Sequence, residues 1–330
     1  MRLVRPLLAC LILGWSLISL RYFLTFGEDP GHPAPSSFSS AGPRTLQREL
    51  LPANHQPTNA IEPKLFVAVL TAPKNVERRM SCRESWMTSP EVQRGDVKVR
   101  FFVGTKAMDE DMRRKVESEA KQFGDVVLLE DLAEGYYKLL LKTVATLRHS
   151  AHEAPFLLRS NDDTLVLPAR LLAFVQKLPP EHYIYSGFIQ TQEPCIRDPT
   201  HEFYISTEDF PGAHLPDFAN GAGYLMSRGL ATYFAEQVDL NVKAGNLEDV
   251  SVGMELSRFR RELGVNITYV HSPQFTFEWC DYRSIIVHPI IEETMKCSWF
   301  RLVAGVKQFC CAKIQSQHKK KAAREAWAQM

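Results

Sequence analysis

The sequence predicts an α/β domain built on a mostly parallel sheet with helices on both faces. Three observations predict it. Short, wholly apolar runs read as strands covered on both sides. Amphipathic segments of helical period separate them. The run ending at Ser160 leads straight into Asn161-Asp162-Asp163, polar groups at a strand end, where open α/β sheets bind their ligands. The elements follow in order. Leu65 to Leu70 is a strand closed by Ala72-Pro73, and a helical segment runs from about Arg78 to Trp86. Val97 to Val103 is a second strand ending at Gly104, Glu110 to Phe123 an amphipathic helix, and Asp125 to Leu129 a third strand. Tyr136 to His149 reads as a helix with Leu139, Leu140, Thr143 and Leu147 towards the core. The strand from Pro155 to Ser160 comes next, and Thr164 to Leu167 resumes an apolar stretch. Further on, Asn220-Gly221-Ala222-Gly223-Tyr224 reads as a glycine-bearing turn, with Tyr224-Leu225-Met226 leading into a helix from Arg228. Glu248-Asp249-Val250 begins another apolar helix, and Ser284 to Val287 is a strand before His288-Pro289. No internal repeat is visible.

Several of these features carry two readings. Asn161-Asp162-Asp163 offers hard oxygen ligands that suit Mg²⁺ or Mn²⁺ and, through the ion, a nucleotide diphosphate; it could equally be a polar turn between two strands. Gly221 and Gly223 permit a tight turn, or let a sugar approach the backbone closely. Glu248 and Asp249 at a helix N-terminus are ordinary caps, or carboxylates held ionised by the helix dipole. A lone His288 at a strand end is structural or a ligand.

The N-terminus sets the address. Arg2 and Arg5 precede an apolar run from Pro6 to Leu20, which Tyr22 to Phe26 extends past a snorkelling Arg21. The uninterrupted run spans only about 22 Å as a helix, which suits a thin early-secretory membrane. No small-x-small cleavage site follows it, so the expectation is an uncleaved signal-anchor, with the N-terminus cytosolic and the remainder luminal. Residues 27–63, rich in Pro, Ser, Ala and Gly, read as a flexible stem. The resulting division is a cytosolic tail 1–5, a transmembrane helix 6–26, the stem 27–63, a globular domain 64–312 and a basic tail 313–330. Of the seven cysteines, all but Cys10 fall beyond the membrane run, and their even number permits disulfides in an oxidising lumen. Cys-x-x-Cys spacing is missing, which argues against structural zinc. Asn266-Ile267-Thr268 is the one glycosylation sequon. With 39 basic against 38 acidic residues and no basic block before Lys319-Lys320-Lys321, no nucleic-acid partner is implied.

The motifs occur in a fixed order: Glu77-Arg78-Arg79 with Arg83-Glu84-Ser85-Trp86, Phe123-Gly124-Asp125, Tyr136-Tyr137 and Leu141-Lys142-Thr143, Asn161-Asp162-Asp163, Gly221-Ala222-Gly223-Tyr224, Glu248-Asp249-Val250, and Val287-His288-Pro289 with Glu292-Glu293. That series, over about Leu65 to Met295, resembles the β1,3-glycosyltransferase family 31, which includes β1,3-galactosyltransferases, β1,3-N-acetylglucosaminyltransferases and, more distantly, the fringe enzymes.

The resemblance implies a GT-A fold, Rossmann-like, with a nucleotide-binding half and an acceptor-binding half. It implies an inverting hexosyltransferase of the Golgi membrane, single-pass type II, using a UDP-sugar and Mn²⁺ on a glycan acceptor of glycoprotein, glycolipid or proteoglycan. Galactose is the first expectation for the sugar, N-acetylglucosamine or N-acetylgalactosamine the second; specificity rests on pocket contacts outside the shared motifs. On these residues it implies Asp163 and His288 as metal ligands, with Asn161 an indirect one, and Arg83, Lys142, Asn161 and Asp162 as donor-binding. Gly221, Ala222, Gly223 and Glu248 are expected to form the acceptor and sugar pocket, with Asp249 the catalytic base and Glu248 the alternative. Homo- or hetero-oligomers are left open. Asn161 departs from the family's aspartate and removes a negative charge beside the cation. That departure motivates a reading of another class, a catalytically weak relative that chaperones or partners another transferase; a luminal carbohydrate-binding protein without turnover is a third. It also suggests that an aspartate at 161 would preserve or raise activity.

Overall fold

β1 (Leu65–Leu70) has every residue buried, as a strand covered on both sides requires. The computed structural model describes residues 62–135, 138–178, 183–238 and 247–311. The cytosolic tail, the expected transmembrane helix, nearly all of the stem, Tyr136-Tyr137 and the basic tail lie outside the described residues; among the described ones, no helix is long and apolar enough to cross a membrane.

After β1 come α1 (Val76–Glu84), a 3₁₀ turn at Trp86–Thr88 and α2 (Pro90–Gln93), with Pro90 in its first turn. β2 (Val97–Gly104) leads to α3 (Glu110–Phe123). The Asp109 carboxylate accepts the Met112 amide at 2.9 Å, and Gly124 ends α3 at φ 67°, a conformation glycine enters without a Cβ clash. Then follow β3 (Val126–Leu129), α4 (Leu139–Ser150), β4 (Phe156–Asn161), β5 (Leu165–Val166) and α5 (Pro168–Val175). β6 (Tyr183–Gln190), β7 (Phe218–Ser227), α6 (Arg228–Gln237) and α7 (Glu248–Glu262) continue the chain, and β8 (Ile267–His271), β9 (Phe275–Phe277), β10 (Ile286–His288) and α8 (Glu292–Val303) complete it.

The main sheet has seven strands in the order β3-β2-β1-β4-β7-β6-β8. β1 runs parallel to β2 and β4, β2 to β3, and β6 to β8, whereas β7 is antiparallel to both of its neighbours. The expectation of a mostly parallel sheet therefore holds with one reversed strand. The expected turn at Asn220 to Tyr224 is corrected: these residues lie inside β7. Glycine weakens a strand interior but is used where a neighbour approaches closely. A Cβ at Gly223 would stand 3.0 Å from Ile286 Cδ1 and 3.2 Å from the Arg159 carbonyl oxygen, so the crowding explains the residue.

Alternate residues of the strands feed opposite faces. Leu65, Val67, Val69 and Leu158 pack with Trp86, Leu171 and Trp299, from the side carrying α5 and α8. Phe66, Ala68, Phe102 and Leu157 pack with Leu147, Phe234 and Phe259 of α4, α6 and α7. A small sheet, β5-β10-β9, lies beside the first cluster. Disulfides Cys280–Cys310 and Cys297–Cys311 fasten the chain after β9 to the segment that follows α8.

Two of these arrangements place the site. Because β7 runs against β4, with Ser160 opposite Gly223, the beginning of β7 extends past the end of β4. Because β10 pairs with β5, His288 arrives next to Asp163.

Candidate active site

The ends of β4, β7 and β10 and the start of α7 enclose a cavity of about 480 Å³. Its wall includes Asn161, Asp162 and Asp163, Lys142, His288 and Asp249. Of the other expected pocket residues, Gly221, Ala222 and Glu248 line it; Gly223 does not and faces Ile286.

Asp162 is buried and turned away from open space. One carboxylate oxygen accepts Thr71 Oγ1 at 2.6 Å and Asn75 Nδ2 at 2.8 Å, and the other faces an Arg78 amine nitrogen at 3.1 Å. Burial raises its pKa, against the pull of Arg78. Asp163 stands 3.4 Å from the same Arg78 nitrogen and 3.1 Å from His288 Nδ1. Burial pushes its carboxyl up, but His288 and Arg78 outweigh this and hold it at about 2. The Ile290 amide donates to the Asp163 carbonyl at 2.9 Å, pinning the end of β10 against the triplet, and Phe277 stacks on the imidazole.

Asp163 and His288 bring side by side an oxygen and a nitrogen donor of the kinds that divalent cations take, with His288 Nδ1 also 3.1 Å from Thr164 Oγ1. Neighbouring ligands of an octahedral ion bound at about 2.1 Å stand roughly 3 Å apart, close to the separation of Asp163 Oδ1 and His288 Nδ1. One carboxylate and one imidazole leave positions for diphosphate oxygens and water, the pattern of nucleotide-binding metal sites. Among the described residues no cluster of three or more His, Cys, Asp or Glu could hold an ion by itself.

One expected role is corrected. Arg83 is not a donor-binding residue: its guanidinium is bidentate to Asp125 at 2.9 and 2.7 Å, reaches Glu119 at 2.8 Å, and covers the Phe123 ring. Arg79 and Arg83 are four residues apart on one helix face and share Glu119. Arg78 lies about 100° around the helix and reaches the cavity; that i,i+4 signal could have separated the three. Asn161 lines the cavity, with its amide held on both sides. Its Oδ1 accepts from Arg159 at 2.8 Å and its Nδ2 donates to the Gly221 carbonyl at 3.1 Å. Flipping the amide would set like against like at both contacts, so the partners fix its orientation.

Glu248, the alternative base, is committed to other partners. It is buried, accepting Thr143 Oγ1 at 2.6 Å and the Tyr224 hydroxyl at 2.7 Å while pairing with Arg159 at 3.1 Å. Asp249 is half-buried, and among the described residues its oxygens accept the amides of Gly221 at 2.9 Å and Val250 at 3.0 Å. The helix start does not hold its pKa low: burial, then the Glu248 charge, push it up to about 6.

Lys142 Nζ is buried, donating to the Thr71 carbonyl at 2.5 Å and pairing with Glu134 at 2.6 Å. Burial lowers its pKa. Glu134 and Arg159 were missing from the expected site. A lysine and an arginine embedded in apolar stretches, which need buried counter-charges, were the available signal.

A family model described as galactosyltransferase matches residues 77–265. The hydroxyproline O-galactosyltransferase GALT2 of Arabidopsis thaliana is 30% identical over 250 residues, covering 75% of this chain and 36% of that protein. The β-1,3-galactosyltransferase 5 of Pan paniscus is 28% identical, over 72% of this chain and 80% of that protein. An acetylgalactosaminyl-O-glycosyl-glycoprotein β-1,3-N-acetylglucosaminyltransferase of Mus musculus is 27% identical, over 71% and 64% respectively. The chain thus spans little more than a third of the plant relative's length and most of the primate one's. A mannosyltransferase of Pyrobaculum calidifontis, solved with GDP-Man and Mn²⁺, has a TM-score of 0.39 at 16% identity over 84% of this chain and 73% of that one, a likeness too loose to build on.

Proposed function

The chain belongs to the galactosyltransferase family, and from that premise we propose that it is an inverting β1,3-glycosyltransferase of GT-A type that moves galactose from UDP-galactose to a hydroxyl of a glycan acceptor. The observation that carries this reading is the placement of Asp249. A carboxylate poised at about 6 opens on the same cavity as the Asp163–His288 pair. A base whose pKa lies near the working pH is what proton removal from a hydroxyl asks for. The acceptor oxygen attacks C1 of the donor sugar, the bond from C1 to the diphosphate oxygen breaks, and the hydroxyl proton passes to Asp249. Charge gathers on the departing UDP. Arg78 lies on the side of the cavity that would face it, and a preorganised cation there stabilises that charge. A Mn²⁺ ion held by Asp163 and His288 would supply further neutralisation of the diphosphate.

N-acetylglucosamine is the second donor, favoured by the likeness to the mouse enzyme. Acceptors are glycans on glycoprotein, glycolipid or proteoglycan. The address we propose is the Golgi membrane, type II, with the catalytic domain luminal. The two disulfides suit an oxidising compartment, and Asn266 with Thr268 is exposed and open to glycosylation.

The test uses full-length protein in detergent with Mn²⁺ and a panel of UDP-sugars and glycan acceptors, with product linkage read by NMR. A β1,3-linked β-hexose is expected. Sugar binding without turnover of any donor would contradict it.

A further inference from the structure

We propose that Asn161 is a positioning residue for the base: it holds Gly221, and Gly221 holds Asp249. The inference rests on the reading of Asp249 as the base and assigns to Asn161 a role outside the metal and donor sites. The contacts form a closed set. Asn161 Nδ2 donates to the Gly221 carbonyl at 3.1 Å, and an Arg159 amine nitrogen donates both to that carbonyl at 2.9 Å and to Asn161 Oδ1 at 2.8 Å. Gly221 is thereby gripped at its oxygen from the end of β4, while its own N–H donates to Asp249 Oδ2 at 2.9 Å.

Gly221 also sits close to the base: a Cβ there would stand 3.1 Å from Asp249 Oδ2, so the carboxylate would have to give by a few tenths of an ångström. The Arg159 nitrogen that meets the Gly221 carbonyl is shared with Asn161 Oδ1, so the Asn161 amide supplies that carbonyl's second donor. The carboxamide supplies what an aspartate cannot. A carboxylate at 161 would keep the acceptor facing Arg159 but set a bare oxygen against the Gly221 carbonyl, which repels it. The expectation that an aspartate at 161 would preserve or raise activity is thereby reversed.

Misplacing a reacting group by about 1 Å can cost as much as 10²-fold in rate. Asn161→Asp and the charge-neutral Asn161→Ala are therefore expected to lower kcat by about tenfold or more, with KM for UDP-galactose and the Mn²⁺-dependent affinity for UDP changed less than about twofold. The deciding measurement is a double-mutant cycle with Asp249→Asn in the full-length protein. If Asn161 acts through Asp249, then in the Asp249→Asn background the Asn161 substitutions should cost less than about twofold. Thermal midpoints identify any variant that fails to fold, and Asn161→Ala decides the matter if Asn161→Asp is such a variant. An equal loss in both backgrounds, unchanged kcat, or UDP and Mn²⁺ affinities falling in step with kcat would overturn the proposal. Near-normal turnover of Asp249→Asn by itself would instead remove the base assignment, and the positioning role with it.

Discussion

Lowering the pH should switch the transferase off through Asp249, and the structure sets where. Burial and then the Glu248 charge lift this carboxyl from the ordinary 3.8 to about 6, against the Gly221 and Val250 amides and Arg159. At about 1.36 kcal/mol per pH unit, that places roughly 3 kcal/mol of ionisation cost on the group. A base with pKa near 6 is about ten-elevenths ionised at pH 7 and about one-eleventh at pH 5, so kcat/KM should fall roughly tenfold between them. An ordinary aspartate would lose less than about a tenth of its activity over that range. The assay is kcat/KM from pH 4.5 to 8 at saturating Mn²⁺, with UDP binding followed in parallel. UDP affinity should hold where the rate falls. Glu248→Gln removes the second cause of the shift and should move the limb to more acidic pH. A rate flat down to pH 5, or a limb that Glu248→Gln moves upward, would refute the reasoning. The stability sign is opposite to the activity sign. With the folded pKa raised, this carboxyl's contribution to stability is complete below about pH 4 and lost as pH rises through about 6. At pH 7, Asp249→Asn should therefore keep or raise the thermal midpoint while removing turnover, a cost of function held in the fold.

Other outcomes follow from the same contacts. Arg83→Ala leaves Asp125 and part of Glu119 uncompensated and should cost about 3–5 kcal/mol of stability, with UDP affinity of the folded protein unchanged; denaturant melts and calorimetry check both. Asp163→Ala and His288→Ala should each abolish the strengthening of UDP binding by Mn²⁺, read by calorimetry with and without the ion. Arg78→Ala should weaken UDP at fixed Mn²⁺. Reduction of Cys280–Cys310 and Cys297–Cys311, which close loops with separations of 30 and 14 residues, should lower stability by roughly 3 kcal/mol each, followed as a drop in thermal midpoint under reductant.

The apolar strands and the amphipathic helix were legible because periodicity is a local property. β1, β2 and α3 lie where Leu65 to Leu70, Val97 to Gly104 and Glu110 to Phe123 place them. Residues 220–224 were misread as a turn, because the crowding that demands glycine there comes from Ile286 and Arg159, far away in the chain. The order of motifs brought Asp163, His288 and Asp249 correctly to one cavity. Arg83 was misassigned because a motif names a stretch, while helix phase decides which arginine faces outward. The raised pKa of Asp249 was not legible, because a dipole can be read from a helix start, whereas burial and the charge of Glu248 act only once the helix is packed.

The central claim is that Asp249, not Glu248, removes the acceptor proton, and the measurement that tests it most directly is single-turnover transfer by Asp249→Asn beside Glu248→Gln. Asparagine preserves size and much of the local hydrogen bonding, so donor binding should change little while the transfer rate falls by about 10² or more. Glu248→Gln should keep most of the rate, since its partners Thr143, Tyr224 and Arg159 hold it for structure. Near-normal transfer by Asp249→Asn, or a collapse confined to Glu248→Gln, would contradict the account.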